Sequence, residues 1–487
     1  MRHLLPSLLT LLTLGLLAGL WLQLPGANGP PEWRWEYRSA GLAAAGVPIL
    51  LLGLLLIAAA LARGGRFAGS RPGLALLVLL GLGLTLAVVQ AQPGGFGRVL
   101  QSLVSRHSFS YVFDAGVAPP TRELLADYPA ASALLDLHSR THPPGPLLLV
   151  RGLDALTRRL PLPEPGEGGI AAAARDAMAH EVSRARDRGR PAPAVPPGPW
   201  SLVVLGLLLP ALSALTAWPL HRLARSWGLP PAAAALAVLL WLLTPARSLF
   251  TPSLDQALPL LLVGAAALAA AGGRATAVKA VAAGLLAAAA CFLSYGCLAT
   301  LPWLALVALG AGMEESREEA PLWRPASLLR PALLGVGFLL PWLALALATG
   351  YAPWRDFRIA ITAHRAMAVV TRSYATWVGW NLYDFVLLAG PAMVALALAA
   401  LWPEPVDPPR PARAFRLGLW GFWGLLLLLD LSGSVRGEVG RIWLFFMPFA
   451  ALFASGERRS GPAPALLLAL LQLALLYSLA ANLVFVS

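Results

Sequence analysis

The feature that most limits what this chain can fold into is the recurrence, along its 487 residues, of apolar runs about as long as a bilayer is thick. A run of roughly 18 or more apolar residues reads as a membrane-spanning helix. Runs of this kind, some a little shorter, occupy residues 4–24, 41–62, 74–91, 200–220, 231–249, 257–271, 280–295, 298–312, 331–349, 385–402, 415–431, 442–455 and 464–485. Only helices and closed barrels satisfy their backbone groups in lipid, and Leu/Ala runs without strict alternation exclude the barrel. The expectation is an all-α polytopic integral membrane protein of about thirteen transmembrane helices.

Charge supplies the orientation. Arginines cluster after the second run (Arg63, Arg66, Arg71), after the fourth (Arg222, Arg225) and at 457–460, and the positive-inside rule puts these turns in the cytoplasm. The amino terminus is then cytoplasmic and the carboxyl terminus outside. Lys and Arg total 37 against 24 Asp and Glu, but Lys279 is the only lysine and the arginines are spread among loops. A basic balance without a basic face argues against a nucleic-acid partner and for contact with membrane lipids. Cys291 and Cys297 lie in an apolar hairpin with no further ligand at metal spacing and read as buried structural thiols.

This topology sends two long polar segments outside, 93–199 and 350–384. Within the first, residues 106–149 gather Asp114, Glu123, Asp127, Asp136, His138, Arg140 and His142 before the break at Pro143, Pro144 and Gly145. Residues 145–160 are too short for a span and carry Arg151, Asp154, Arg158 and Arg159, so they form an amphipathic juxtamembrane helix. Residues 170–188 make a surface helix between Pro/Gly-rich stretches, and 161–199 as a whole is expected to behave as a linker that tolerates shortening. In the first outer hairpin Trp33, Trp35 and Tyr37 form an interfacial belt while Glu32 and Glu36 are solvated. Asp255, the 354–384 stretch, and Arg436, Glu438 and Arg441 emerge on the same outer face. The spans carry almost no charge near their centres, which speaks against a transporter and for chemistry at the surface on a lipid-borne substrate.

The sequence FDAGVAPPTRELLADYP followed by LHSRTHPPGPLLL, outside and leading into a juxtamembrane helix, resembles the GT-C membrane glycosyltransferases. It is similar in particular to the glycosyltransferase 39-like bacterial proteins related to the dolichyl-phosphate-mannose protein mannosyltransferases. The resemblance implies a GT-C-like catalytic domain over 73–487, preceded by two additional transmembrane helices in 1–72. It also implies transfer of a sugar from a polyprenyl-phosphate donor to a hydroxyl of a glycan, lipid or protein acceptor, outside the cell membrane. That family carries an Asp-Glu pair after its first span, whereas Asp114 has no adjacent Glu.

Such a transfer needs a base, a cationic clamp for the leaving phosphate, and surfaces for the sugar. Asp114 is the first choice for the base, with Glu123 and Asp127 in reserve, and His138 and His142 are placed to orient it. Arg140, Arg358, Arg365, Arg372 and Arg441 are the phosphate candidates, Tyr374 and Trp377 the stacking platforms, and His364, Asp255 and Glu438 complete the substrate-binding set. No ligand spacing fixes a metal site, and use of a divalent cation such as Mg or Mn is left open. The competing classes are a lipid-linked glycan flippase and a non-enzymatic scaffold. A topology reporter fused after Ser487 is expected to read as extracytoplasmic; a cytoplasmic signal breaks the assignment of the polar segments to one face.

Overall fold

The computed structural model describes residues 5–38, 41–315, 325–402, 413–456 and 462–485. Both chain ends, the acidic run containing Arg317, the linker at 403–412 and the basic turn at 457–460 lie outside the described residues. Those described are mostly helical, with one two-stranded sheet pairing Glu36–Tyr37 antiparallel to Leu483–Val484.

Eight described helices are long and apolar enough to cross a membrane: Ala44–Gly65, Arg71–Ala91, Pro199–Ser226, Thr276–Leu293, Tyr295–Glu314, Ser327–Thr349, Arg413–Leu431 and Pro462–Asn482. Four more expected runs form shorter apolar helices, Thr10–Trp21, Pro231–Leu242, Leu254–Ala270 and Leu444–Ser455. The run expected at 385–402 is not straight. Its helix begins at Tyr374, inside the segment read as a polar loop, and bends by 105° between Ala389 and Pro391. The early start has a local cause: the Ser373 side chain accepts a hydrogen bond from the Thr376 amide and caps the helix. The bend falls where Pro391 opens the next helix and lacks an amide hydrogen to continue the first.

The first two helices belong to the bundle. The helix Leu5–Trp21 packs on Pro462–Asn482 and Pro391–Ala399, and Val47–Leu61 packs on Arg71–Ala91 and Pro231–Leu242. Ile49, Leu56 and Ala60 therefore share one apolar core with Trp241, Phe449 and Leu475.

The segment 93–199 is folded, and the surface helix expected at 170–188 is present and packed on its neighbours. The helix Ile170–Asp187 buries Ala171, Ala172, Ala174, Met178, Val182 and Ala185 and packs against Gly95–Val104 and Pro199–Leu215. Ala174, Met178, Val182 and Ala185 join a second core with Phe113, Leu124, Tyr128, Leu147 and Leu205. Alternating charges mark only the outward face of this helix; small residues on the other face let it lie close, so its removal would uncover that core.

Small residues also set the approach of membrane helices, as expected from the crowding of Ala and Gly over 264–290. Thr276–Leu293 crosses Pro325–Thr349 so closely that a Cβ on Gly284 would lie 2.1 Å from the Leu334 carbonyl oxygen, and one on Gly337 the same distance from that of Val281. Backbone cannot yield as a side-chain tip does. Gly284→Val and Gly337→Val are each expected to destabilise the protein by about 1–3 kcal/mol, read as a lower thermal midpoint in detergent, while Gly335→Val, which meets nothing within 4 Å, leaves it unchanged.

Candidate functional site

The polar cluster at the end of the bundle that carries 93–199 is built from five separate stretches of chain. The first begins at Asp114, on the short helix Tyr111–Val117, which is only 1 % exposed. Its carboxylate accepts from the Asp136 backbone amide at 3.2 Å and is hydrogen-bonded by the Ser139 and Ser110 hydroxyls. Burial pushes this carboxyl up to about 6, against those hydrogen bonds. Arg106 clamps Asp136 through two contacts of 2.6 and 2.7 Å while lying over the Phe113 ring. Asp114 thus holds the turn that carries the histidines.

That turn presents His138 and His142 with their rings 5.3 Å apart, each beside Tyr111 at 5.1 and 5.3 Å. Burial, with Arg441 adding to it, keeps both imidazoles neutral: His138 falls well below its ordinary range and His142 to about 4. The HPPG sequence is explained by what lies behind it. Pro143, Pro144 and Gly145 are buried, and a Cβ on Gly145 would lie 1.8 Å from the Phe292 carbonyl oxygen, so the turn seats directly on the end of a membrane helix. Arg151, expected at the lipid interface, instead donates to the Ala115 and Pro119 carbonyls at 3.0 and 2.8 Å and caps the helix that bears Asp114.

The second half of the site comes from far along the chain. Glu438 sits in the left-handed region (φ 59°), a conformation that costs a non-glycine residue about 1–2 kcal/mol. Its two carboxylate oxygens are shared by Arg372 Nη2 at 3.0 Å and Arg441 Nη2 at 2.7 Å. Burial alone would raise this carboxyl, but the two guanidinium groups hold it below its ordinary range. Arg441 also faces Asp255, with Nε 3.7 Å from Oδ2, and Asp255 in turn accepts from Ser253 Oγ at 2.8 Å. Arg372 donates to the Arg436 carbonyl and Arg436 Nη1 to that of Arg372 at 2.6 Å. His364 closes the group from the end of the helix Pro353–His364, its Nε2 donating to the Ser434 carbonyl at 2.7 Å.

Of the residues singled out in the sequence, the structure brings together His138, His142, Asp255, His364, Arg372, Glu438 and Arg441. Trp377 is 1 % exposed and its indole donates to Glu32 at 3.0 Å, so its ring braces Arg372 (5.7 Å) and is no open stacking platform. Tyr374 is exposed, with its hydroxyl on the Leu431 carbonyl and its ring beneath Arg436. Arg358 and Arg365 are exposed on the outward side of their helical stretch and Arg140 is half-buried, so these three stand apart from the Glu438 pairings. Glu123 and Asp127 lie at the rim, Asp127 capping the helix Tyr128–Ser132. Among the described residues no three of His, Cys, Asp and Glu converge as metal ligands, and Asp255 and Glu438 are already engaged by Arg441; the residues present do not form a site for Mg or Mn.

Three contributors were not legible in the sequence. Tyr111 reads as an ordinary core aromatic. Asp356, 2 % exposed on the inner side of Pro353–His364, has its carboxyl pushed up to about 7 by burial, with the Tyr351 hydroxyl acting in the opposite direction. Glu32, read as solvated, is exposed and yet accepts three hydrogen bonds from the start of the helix Tyr374–Ala389. Compared with known proteins, the chain matches no family model, no curated protein and no solved structure.

The neutral histidine gives a signed expectation. The unfolded chain binds a proton at His142 near 6.5 and the folded one only near 4, so the stability this residue contributes is present above pH 6.5 and is lost as pH falls toward 4. His142→Gln is expected to flatten that loss by about 1–3 kcal/mol in thermal midpoints measured across pH 4–7.

Proposed function

We propose that this protein is a glycosyltransferase of thirteen membrane spans that moves a sugar from a polyprenyl-phosphate donor to a hydroxyl acceptor at the outer face of the cell membrane. The observation that carries this reading is Arg441, a guanidinium at the end of an apolar bundle, with two carboxylates on one side and two neutral imidazoles near it. A lipid phosphate arriving from the bilayer meets Arg441 and Arg372 there, and both offer planar, charge-assisted donors. The resemblance of the 113–149 sequence to GT-C enzymes supports the same chemistry.

In the transfer, the acceptor oxygen forms a bond to the anomeric carbon while the bond from that carbon to the phosphate oxygen breaks and its electron pair stays on the phosphate. The charge that grows there is met by Arg441 and Arg372. The proton leaving the acceptor hydroxyl passes to a carboxylate. Asp255 suits that task better than Asp114, because it borders Arg441 whereas Asp114 is sealed behind the histidine turn. His138 and His142, kept neutral, offer hydrogen bonds to sugar or phosphate without competing for the proton. Polar groups gathered at one end favour surface chemistry over passage through the membrane. Arg247, buried within the bundle, is held by the Leu242 and Gly81 carbonyls and fits a helix-end brace.

Purified protein screened against polyprenyl-phosphate sugars tests the reading. Arg441→Ala is expected to weaken donor binding and slow single-turnover transfer together, by about 3–4 kcal/mol in the rate. Asp255→Asn is expected to keep donor affinity and lose about 10²–10⁴-fold in turnover. Normal turnover in Asp255→Asn returns the base to Asp114, and binding of no polyprenyl-phosphate sugar by the wild type removes the proposal.

A further inference from the structure

The hairpin between the first two membrane helices reaches into the site. Glu32 accepts from the Ser373 backbone amide at 3.1 Å, from Thr376 Oγ1 at 3.0 Å and from Trp377 Nε1 at 3.0 Å, so its carboxylate sits on the amino-terminal turn of the helix Tyr374–Ala389. Negative charge is favoured at that place, where amide groups lack partners and the helix dipole is positive. The next residue, Trp33, lies with its ring 4.7 Å from the Arg372 guanidinium, and Trp377 lies 5.7 Å from the same group. Arg372 is thereby held between two indoles while its nitrogens are directed to Glu438 and to the Arg436 carbonyl. The hairpin itself is anchored: Tyr383 donates to the Ala27 carbonyl, Asn28 to that of Trp35, and the strand Glu36–Tyr37 pairs with Leu483–Val484.

We propose that Glu32 and Trp33 are positioning residues for Arg372, and that through it they set the affinity of the site for a phosphate carried on a lipid. The proposal rests on reading the site as one for a polyprenyl-phosphate donor. An arginine free to sample its rotamers has to be ordered when the anion binds; one already fixed between two rings, beside a capped helix start, is ordered beforehand. Glu32 carries no chemistry of its own. It fixes the backbone from which Arg372 projects, and Trp33 fixes the guanidinium plane. The first two helices then complete the binding site instead of merely adding to the bundle.

The test uses the full-length protein in lipid nanodiscs and two measurements. Hydrogen exchange over 372–377 reports the positioning without any ligand, and the affinity for a polyprenyl phosphate against the polyprenol of the same chain length reports its effect on phosphate. Glu32→Ala is expected to speed exchange at the Ser373 amide and to weaken the phosphate compound about tenfold while leaving the alcohol unchanged, with Glu32→Gln, which keeps a carbonyl acceptor, recovering part of both. Placed on Arg372→Gln, the same Glu32→Ala change is expected to add no further loss, because both act through one group. Unchanged exchange in Glu32→Ala overturns the inference, as does an additive loss in the double variant. A wild type that does not distinguish the phosphate from the alcohol overturns the link to lipid phosphate and the donor reading with it, while exchange still decides the positioning. Should Glu32→Ala fail to fold, Glu32→Gln and Trp33→Phe carry the same comparison.

Discussion

The sharing of Glu438 between Arg372 and Arg441 is the contact on which the polar end of this molecule depends. A guanidinium beside lipid is costly unless an anion meets it, and one carboxylate here serves two. Glu438 accepts a left-handed backbone to do so, and the turn from Ser432 to Glu438 is arranged around it by the paired carbonyl contacts of Arg372 and Arg436. Asp255 supplies the second negative group from a different part of the chain, which keeps Arg441 directed toward the histidine turn. Arg372, Arg436 and Arg441 thus gather around Glu438, Asp255 and Glu32, a balanced set of charges drawn from distant parts of the chain.

How much of this was legible in the sequence depends on the kind of force involved. Apolar runs speak for themselves, because a bilayer demands both length and hydrophobicity, and most of the long helices fall where those runs lie. The histidine turn was legible too, since two prolines and a glycine after a cluster of titratable groups mark a boundary. The break at Gly390 and the early start of its helix were not, because capping by Ser373 and attachment to Glu32 outweigh the polarity of residues 374–384. The helix Ile170–Asp187 was legible as a helix but its packing was not, because its buried face is mostly alanine, which contributes little to any hydrophobic pattern yet packs closely. For Asp114 the sequence shows a carboxyl near a histidine turn, but not that its oxygens are spent on the Asp136 amide and two serine hydroxyls.

Long-range contacts were the least legible of all. Glu32 meets Trp377 across most of the chain and Asp255 meets Arg441 across several intervening helices that must first be arranged, and nothing local to either residue announces its partner. Gly145 is intermediate: its place after a proline pair suggests a turn, while the reason no larger residue fits is a carbonyl on another helix, that of Phe292.

The pairing of Glu36–Tyr37 with Leu483–Val484 bears on how the molecule is made. A chain inserted into a membrane from its amino terminus has its first hairpin in place while the strand that secures it is still to be synthesised. The brace behind Arg372 therefore closes only after Leu483–Val484 have been made, so that a chain stopped short of the helix Pro462–Asn482 carries the histidine turn and the arginines while its first hairpin is still unfastened.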